Sequence, residues 1–405
     1  MAVFSEPAFI AMVVAAYIFG QLRTRLSRTT FFGVLNSVAL ILLFGWKAFG
    51  ILAFICIIYW CALRAAQLVP PENVTARRAL PFVLFGGIAA FFVLHKMVLE
   101  PGNDFANLFP FHFFSDLSGL WPVLPGLQIL QLLALSYVCL RLVDMTRAVL
   151  AGERLTNPLG MSAYLAPFFM SPSGPINDYE EHLSMDDGPA PEPTAAHFVD
   201  SVFTIVLGYF LKFVIAQSYS IFFIGLHGSW PTATFIDTLV FLTYVLIEFA
   251  GYSLITLGIG RLLGVPTPIN FNHPYLSTSF TEFWTRWHMS LGAFVRRNIY
   301  FPVRIGLTRA MKPTRDQKAK IHLINFVALL LPFAFVGVWH RFTWEFLYWG
   351  LAVGIVVGIE TIIRDQFRPH TRIKAPSWLT KPLAMVYTIS LVVLTLRIAL
   401  VDFAG

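Results

Sequence analysis

The stretch Ile321-His-Leu-Ile-Asn-Phe-Val-Ala-Leu-Leu-Leu-Pro-Phe-Ala-Phe-Val-Gly-Val-Trp339 is followed by His340-Arg341 and then by a second apolar run, Phe342 to Ile363. Each run has the length and apolar content of a helix that crosses a bilayer. Ionisable residues at membrane depth cost free energy and mostly face a cavity or a bundle interior, which makes His340 a functional candidate. Arg341 beside it supports the other reading equally well, an interfacial turn between two spans.

Outward from this pair, the rest of the chain reads the same way. Of 405 residues, 57% are hydrophobic and 13% charged, about half the roughly 25% charge of a soluble domain. The predicted fold class is therefore all-α, a polytopic membrane protein. About ten spans are expected: Pro7 to Leu22, Phe31 to Trp46, Ala48 to Leu63, Ala79 to Val98, Leu120 to Leu140, Phe198 to Leu226, Thr232 to Gly260, Ile321 to Trp339, Phe342 to Ile363 and Pro382 to Val401. One membrane-embedded domain over residues 1–405 is expected. Leu159 to Met170 is apolar but too short to span, and Ser171-Pro-Ser-Gly-Pro-Ile176 stops it, so a re-entrant or interfacial segment is predicted. The acidic stretch Asn177 to Thr194 reads as a solvated loop, with docking of a partner as the alternative.

The net charge of +7, from 29 basic and 22 acidic residues, is explained by topology before nucleic acid, for which no motif is present. Arg23, Arg25 and Arg28, then Arg64, Arg77 and Arg78, then Arg141, Arg147 and Arg154 mark loops retained in the cytoplasm. Lys47 stands alone in its turn, and Asn103 to Trp121 has no basic residue, so these face outward. Arg261 to Lys320 returns inside with ten basic residues, and both termini fall outside. Cys56, Cys61 and Cys139 lie in apolar runs away from any zinc-ligand spacing, so no metal and no disulfide are indicated. The first span lacks a basic flank before it, unlike a secretory signal.

Within the basic segment, Phe280, Phe283, Trp284, Trp287, Leu291, Phe294 and Val295 fall on one helical stripe. Ser279 and Glu282 form a capping-box signature, so a single interfacial helix starting there is predicted, with His288 at the edge of its apolar face. A histidine so placed reads either as a packed, hydrogen-bonded structural residue or as a functional one. No G-x-S-x-G elbow, P-loop, H-E-x-x-H or dinucleotide fingerprint occurs. What remains is a neutral imidazole that takes a proton from a hydroxyl attacking an activated acyl group in a water-poor cavity.

The run Ile269-Asn-Phe-Asn-His-Pro-Tyr-Leu-Ser-Thr-Ser-Phe-Thr-Glu-Phe-Trp-Thr-Arg-Trp-His-Met-Ser-Leu291, followed by Arg296, Arg297, Tyr300 and Pro302, resembles the signature of membrane-bound O-acyltransferases (MBOAT). It is most similar to the bacterial branch that contains alginate O-acetyltransferases and teichoic-acid D-alanyltransferases. Phe168-Phe169, Ser173-Gly-Pro-Ile176, Gly251-Tyr-Ser253, Pro266, and Gly337-Val-Trp-His340 with Trp344 and Trp349-Gly350 extend the resemblance over roughly Tyr164 to Glu360. It implies that His340 is the catalytic histidine and His288 the second characteristic one. It points to Asn270, Trp284, Arg286, Trp287, Ser290, Arg296 and Trp339 as substrate-binding positions.

The implied activity is transfer of an acetyl or D-alanyl group from a cytoplasmic thioester to hydroxyls of an extracytoplasmic polysaccharide or teichoic-acid-like polymer. No bound cofactor is implied; the donor would be acyl-CoA or a phosphopantetheinyl acyl carrier protein. Membrane lipid and an extracytoplasmic acyltransferase or polymer-synthesis protein would be further partners, and the location a bacterial cytoplasmic membrane. Arg341, Leu254 and Val353 depart from the family pattern, which usually has Gly, Asp and His at those places. Acylation of a lipid acceptor is the alternative enzyme reading. A proton-coupled transporter is the non-enzymatic one, disfavoured by the lack of internal repeats.

Overall fold

The protein, seen in a computed structural model, is described over residues 2–20, 26–99, 135–171, 173–187, 194–227, 234–367 and 377–400. Every regular element among these residues is helical. Among the described residues, seven helices are long and apolar enough to cross a membrane: Arg28–Gln67, Val74–Lys96, Ala195–Phe223, Phe235–Leu263, Lys318–His340, Trp344–Gln366 and Trp378–Leu400. The chain is a multi-pass, all-α membrane protein.

The difference from ten spans has three sources. Pro7–Gly20 is a helix of 14 residues, about 21 Å at 1.5 Å per residue, short of a typical 30 Å hydrocarbon core. The predicted Phe31 to Trp46 and Ala48 to Leu63 spans lie in one helical element, kinked where Gly45 takes φ 85° and ψ 162°. Such a conformation is open to glycine at little cost. Most of the predicted Leu120 to Leu140 span, and the basic-free loop before it, lie outside the described residues. Its end does not close a span at Leu140, because Leu135–Ala151 is one continuous helix.

The described residues group into two compact units. The first is drawn from Met1–Pro101, Phe111–Leu207 and Ser253–Pro268. Here the short apolar segment forms the helix Pro158–Leu165, capped by Asn157, whose side chain accepts from Gly160 N at 2.9 Å. It lies against the kinked helix, and Asn36 binds the chain at both sides of its end. The Asn36 amide donates to Ser162 O and Ala166 O at 3.3 and 3.2 Å, while Phe168 N donates to Asn36 Oδ1 at 2.7 Å. Gly33 permits this approach, since a Cβ there would sit 2.4 Å from Leu159 O.

Arg141 is fully buried in the same unit. Its guanidinium donates to Leu165 O, Pro175 O and Asn177 Oδ1 at 2.8, 2.7 and 3.1 Å. Asp144 accepts from Tyr179 N at 3.0 Å and from the Tyr164 hydroxyl at 3.2 Å. The segment predicted to be a solvated acidic loop is thus packed and paired through residue 187. Asp178 caps a short helix, Glu180 pairs with Arg147, and Asp186 and Asp187 pair with Arg154. Residues 188–193 lie outside the described residues.

The second unit is drawn from Gly208–Tyr252 and Ile269–Gly405. Its core packs Phe280 and Phe283 among Leu242, Trp349, Val353, Val357, Val392 and Val393. Lys318–His340 and Trp344–Phe367 form an antiparallel hairpin whose backbones nearly touch. A Cβ on Gly337 would lie 2.1 Å from Phe346 O, and one on Gly350 2.2 Å from Phe333 O. Gly350, Gly354 and Gly358 repeat every four residues and so share one helix face, the close-packing pattern of apolar helices in lipid.

Candidate active site

The predicted single helix over Phe280 to Val295 is two helices, Phe280–Arg286 and Met289–Val295, broken at Trp287 and His288. His288 has φ 45° and ψ 54°, a left-handed backbone that a non-glycine residue adopts only where its surroundings hold it there. Asn270, fully buried, does so: Met289 N donates to Asn270 O at 2.9 Å and Ser290 N to Asn270 Oδ1 at 3.4 Å. Asn272 N donates to Arg286 O at 3.0 Å on the other side of the break. The apolar spacing continues across the break and so conceals it.

The cap at the start is confirmed in part. Ser279 Oγ accepts from Glu282 N at 3.1 Å, but the Glu282 carboxylate reaches Thr278 N and Oγ1 and Arg286 instead of the Ser279 amide. Those bonds hold its pKa below the ordinary carboxylate value, the Thr278 amide foremost. The amides at the helix start, Phe280 N and Thr281 N, donate to Glu360 at 3.0 and 2.7 Å, and the Thr281 hydroxyl also binds that carboxylate. Glu360 sits on the Trp344–Phe367 helix, so one carboxylate ties the Phe-Trp-Thr-Arg-Trp-His run to the hairpin.

These constraints produce a connected set of rings. His288, 5% exposed, packs edge-on against Phe249 at 4.8 Å between centroids and lies 6.4 Å from Trp339. Trp339 lies 4.9 Å from His340, His340 5.7 Å from Trp349, and Trp349 6.0 Å from Trp284. His340 is the last residue of its helix and is exposed. Burial, and next the charge that His340 can carry, push the His288 imidazole down from 6.5 to about 3. It is therefore neutral at physiological pH.

The expected site residues divide. Asn270 and Ser290 set the backbone that carries His288, Trp339 lies against both histidines, and Trp284 is linked to His340 through Trp349. Trp287 braces the turn through Phe271 and Phe283, at 5.2 and 5.5 Å. Arg286 is engaged with Glu282 Oε1 at 2.6 Å, and Arg296 is exposed at the start of the π-helical turn Arg296–Tyr300. Val353, where the family pattern often has His, is an apolar core residue packed with Phe280 and Phe283. Among the described residues no cluster of His, Cys, Asp or Glu is suited to a metal ion.

Two features escape the motif. Glu360 is one; the other is an ion pair between Lys212 and Glu248. Lys212 lies in a π-helical stretch, Phe210–Ala216, inside an apolar span, and Glu248 precedes the Phe249 that packs on His288. A charge inside an apolar run is the sequence signal for both members of that pair.

Residues 198–396 match the family model described as MBOAT, membrane-bound O-acyltransferase family. The chain is 26% identical over 291 residues to the teichoic acid D-alanyltransferase of Bacillus subtilis (strain 168), covering 67% of this chain and 71% of that protein. It is 26% identical over 319 residues to the probable alginate O-acetylase AlgI of Azotobacter vinelandii, covering 77% and 59%. To the peptidoglycan O-acetyltransferase of Helicobacter pylori (strain ATCC 700392 / 26695) it is 30% identical over 184 residues, covering 44% and 33%. The matched region contains both histidines and every ring that joins them, and residues 198–396 accordingly form a domain of the MBOAT family.

Proposed function

We propose that this protein moves an acetyl or D-alanyl group from a cytoplasmic thioester, of CoA or of a phosphopantetheinyl carrier protein, to a hydroxyl of an extracytoplasmic polymer. The membrane is a bacterial cytoplasmic membrane, and an extracytoplasmic protein that receives or uses the acyl group is a fitting partner. The observation that carries the reading is the ring sequence His288, Trp339, His340 at the end of an apolar helix. It joins a buried neutral imidazole to an accessible one.

His340 is the base. Its imidazole accepts the acceptor's hydroxyl proton while the oxygen attacks the thioester carbonyl carbon. As the C–S bond breaks, the thiolate takes that proton back from the imidazolium. The reaction exchanges a thioester for an ester and a thiol, with no change of redox state and no net proton. A positioned base of this kind contributes about 10²–10⁴-fold in rate. The test is release of free thiol by the full chain in nanodiscs, given acetyl-CoA or a D-alanyl carrier protein with a polyol acceptor. His340→Ala is expected to lose turnover by that factor while melting normally. Full turnover in a folded His340→Ala protein removes the assignment.

A further inference from the structure

Around the two histidines, three buried polar atoms have no protein partner among the described residues: His288 Nε2, Trp284 Nε1 and Trp349 Nε1. His288 and Trp349 are each more than nine-tenths buried. Burying an N–H without a partner costs about 1–3 kcal/mol, so two such indoles in one cluster point to something that meets them in use. An indole nitrogen donates and cannot accept. The missing group is therefore a hydrogen-bond acceptor, which excludes an ammonium or a metal ion at these two atoms. The other rings packed on the two indoles are apolar: Phe280, Phe283 and Phe333 lie against Trp284, and Phe346 against Trp349. Such walls make a donated hydrogen bond to a developing anion stronger than it is in water.

From this we infer that Trp284 and Trp349 donate their indole N–H groups to the carbonyl oxygen of the acyl donor, which becomes the oxyanion when the hydroxyl attacks. The inference rests on the acyl-transfer reading above and deepens it. Trp349 is in ring contact with His340 at 5.7 Å and with Trp284 at 6.0 Å, so both indoles belong to the ring cluster that ends at the base. In the balanced step, the C–O bond forms as His340 takes the proton. The carbonyl electron pair moves onto oxygen under the two N–H groups, then returns as the C–S bond breaks. Neither indole gains or loses a proton.

Phenylalanine keeps most of the ring and removes the N–H. Trp349→Phe and Trp284→Phe are each expected to lower kcat for thiol release from acetyl-CoA about 10²–10³-fold, with KM little changed. A purely structural role would lower the melting temperature and leave the kcat of the folded fraction intact, and that result overturns the inference. A second measurement needs no variant: infrared spectroscopy of the wild-type chain with a ¹³C-carbonyl methyl ketone, acetyl-pantetheine with CH2 in place of sulfur. Its carbonyl stretch is expected to shift to lower wavenumber on binding and to return towards the aprotic-solvent value in each Trp→Phe protein. A bound ketone with no shift in the wild type overturns the inference, as does a shift unaltered in both variants. Wild-type protein inactive with every thioester would remove the acyl-transfer reading itself, and this one with it; activity retained in both Trp→Phe proteins removes this one alone.

Discussion

His182 and His288 are both buried, one in each unit, and both are neutral at pH 7 because burial disfavours the imidazolium. His182 falls to about 4 and His288 to about 3. His182 Nε2 lies 3.2 Å from Gly160 O and must carry the hydrogen, since a carbonyl only accepts. Its ring packs on Tyr164, beside the Arg141 and Asp144 bonds that hold residues 164–179. His288 has a left-handed backbone, an unpartnered Nε2 and, one Trp away, a second histidine. Desolvation alone therefore does not mark a functional histidine, and neither does an unpartnered ring nitrogen, which His182 has at Nδ1; what distinguishes His288 is the left-handed turn that carries it and the second histidine beyond Trp339.

The widest separation is expected in turnover. His288→Gln should reduce thiol release roughly 10²-fold, the low end for a positioned acid–base group, in protein that melts normally. His182→Gln should leave turnover per folded molecule unchanged and lower stability. Reversed results would dissolve the contrast. Next in size, Arg141→Met orphans three buried acceptors at about 1–3 kcal/mol each, and thermal unfolding in detergent should show loss of most of the folded population. Gly350→Val places side-chain carbons where Phe333 O already lies and should cost about 1–3 kcal/mol, together with turnover, because His340 and Trp349 move apart. Retained activity would show that the hairpin does not set the ring geometry.

The pH dependence treats the two histidines alike and so tests their shared burial. Each has a folded pKa below its unfolded value near 6.5, so the unfolded chain binds more protons as the pH falls below 6.5. The stability each contributes is full above that value and is lost as the pH drops towards 4 or 3. Between pH 7 and pH 5 the loss is about 2 kcal/mol per histidine. Replacing either by Gln should remove about that much of the slope in melting temperature against pH. The smallest expected effect is Glu360→Gln, which weakens a helix cap by about 1 kcal/mol and should lower turnover more than it lowers melting temperature.

Apolar run length carried most of the fold into view, because lipid demands long uninterrupted helices and the demand is local. The Gly45 kink, the buried Arg141 and the paired acidic segment were not legible for a common reason. Each depends on a partner distant in sequence: Arg141 reads as a loop charge until Leu165, Pro175 and Asn177 are brought to it. In the site, the capping serine was legible within four residues. The break at His288 was not, because Trp287 and Leu291 keep the helical spacing and the hydrogen bonds that force the turn come from Asn270, 18 residues earlier. The approach of His288 to His340 across 52 positions was accessible only through resemblance to a family.

The glycine seam between Lys318–His340 and Trp344–Phe367 has a mechanical consequence. Two backbones in contact cannot slide or splay without losing packing along the whole seam, so the hairpin meets a change in bilayer thickness by tilting as one rod. His340 and Trp349 would keep their spacing through such a tilt. Turnover should then vary little across nanodiscs made from lipids of different acyl-chain length, whereas a Gly350→Val protein, with the seam prised open, should become sensitive to the hydrophobic mismatch.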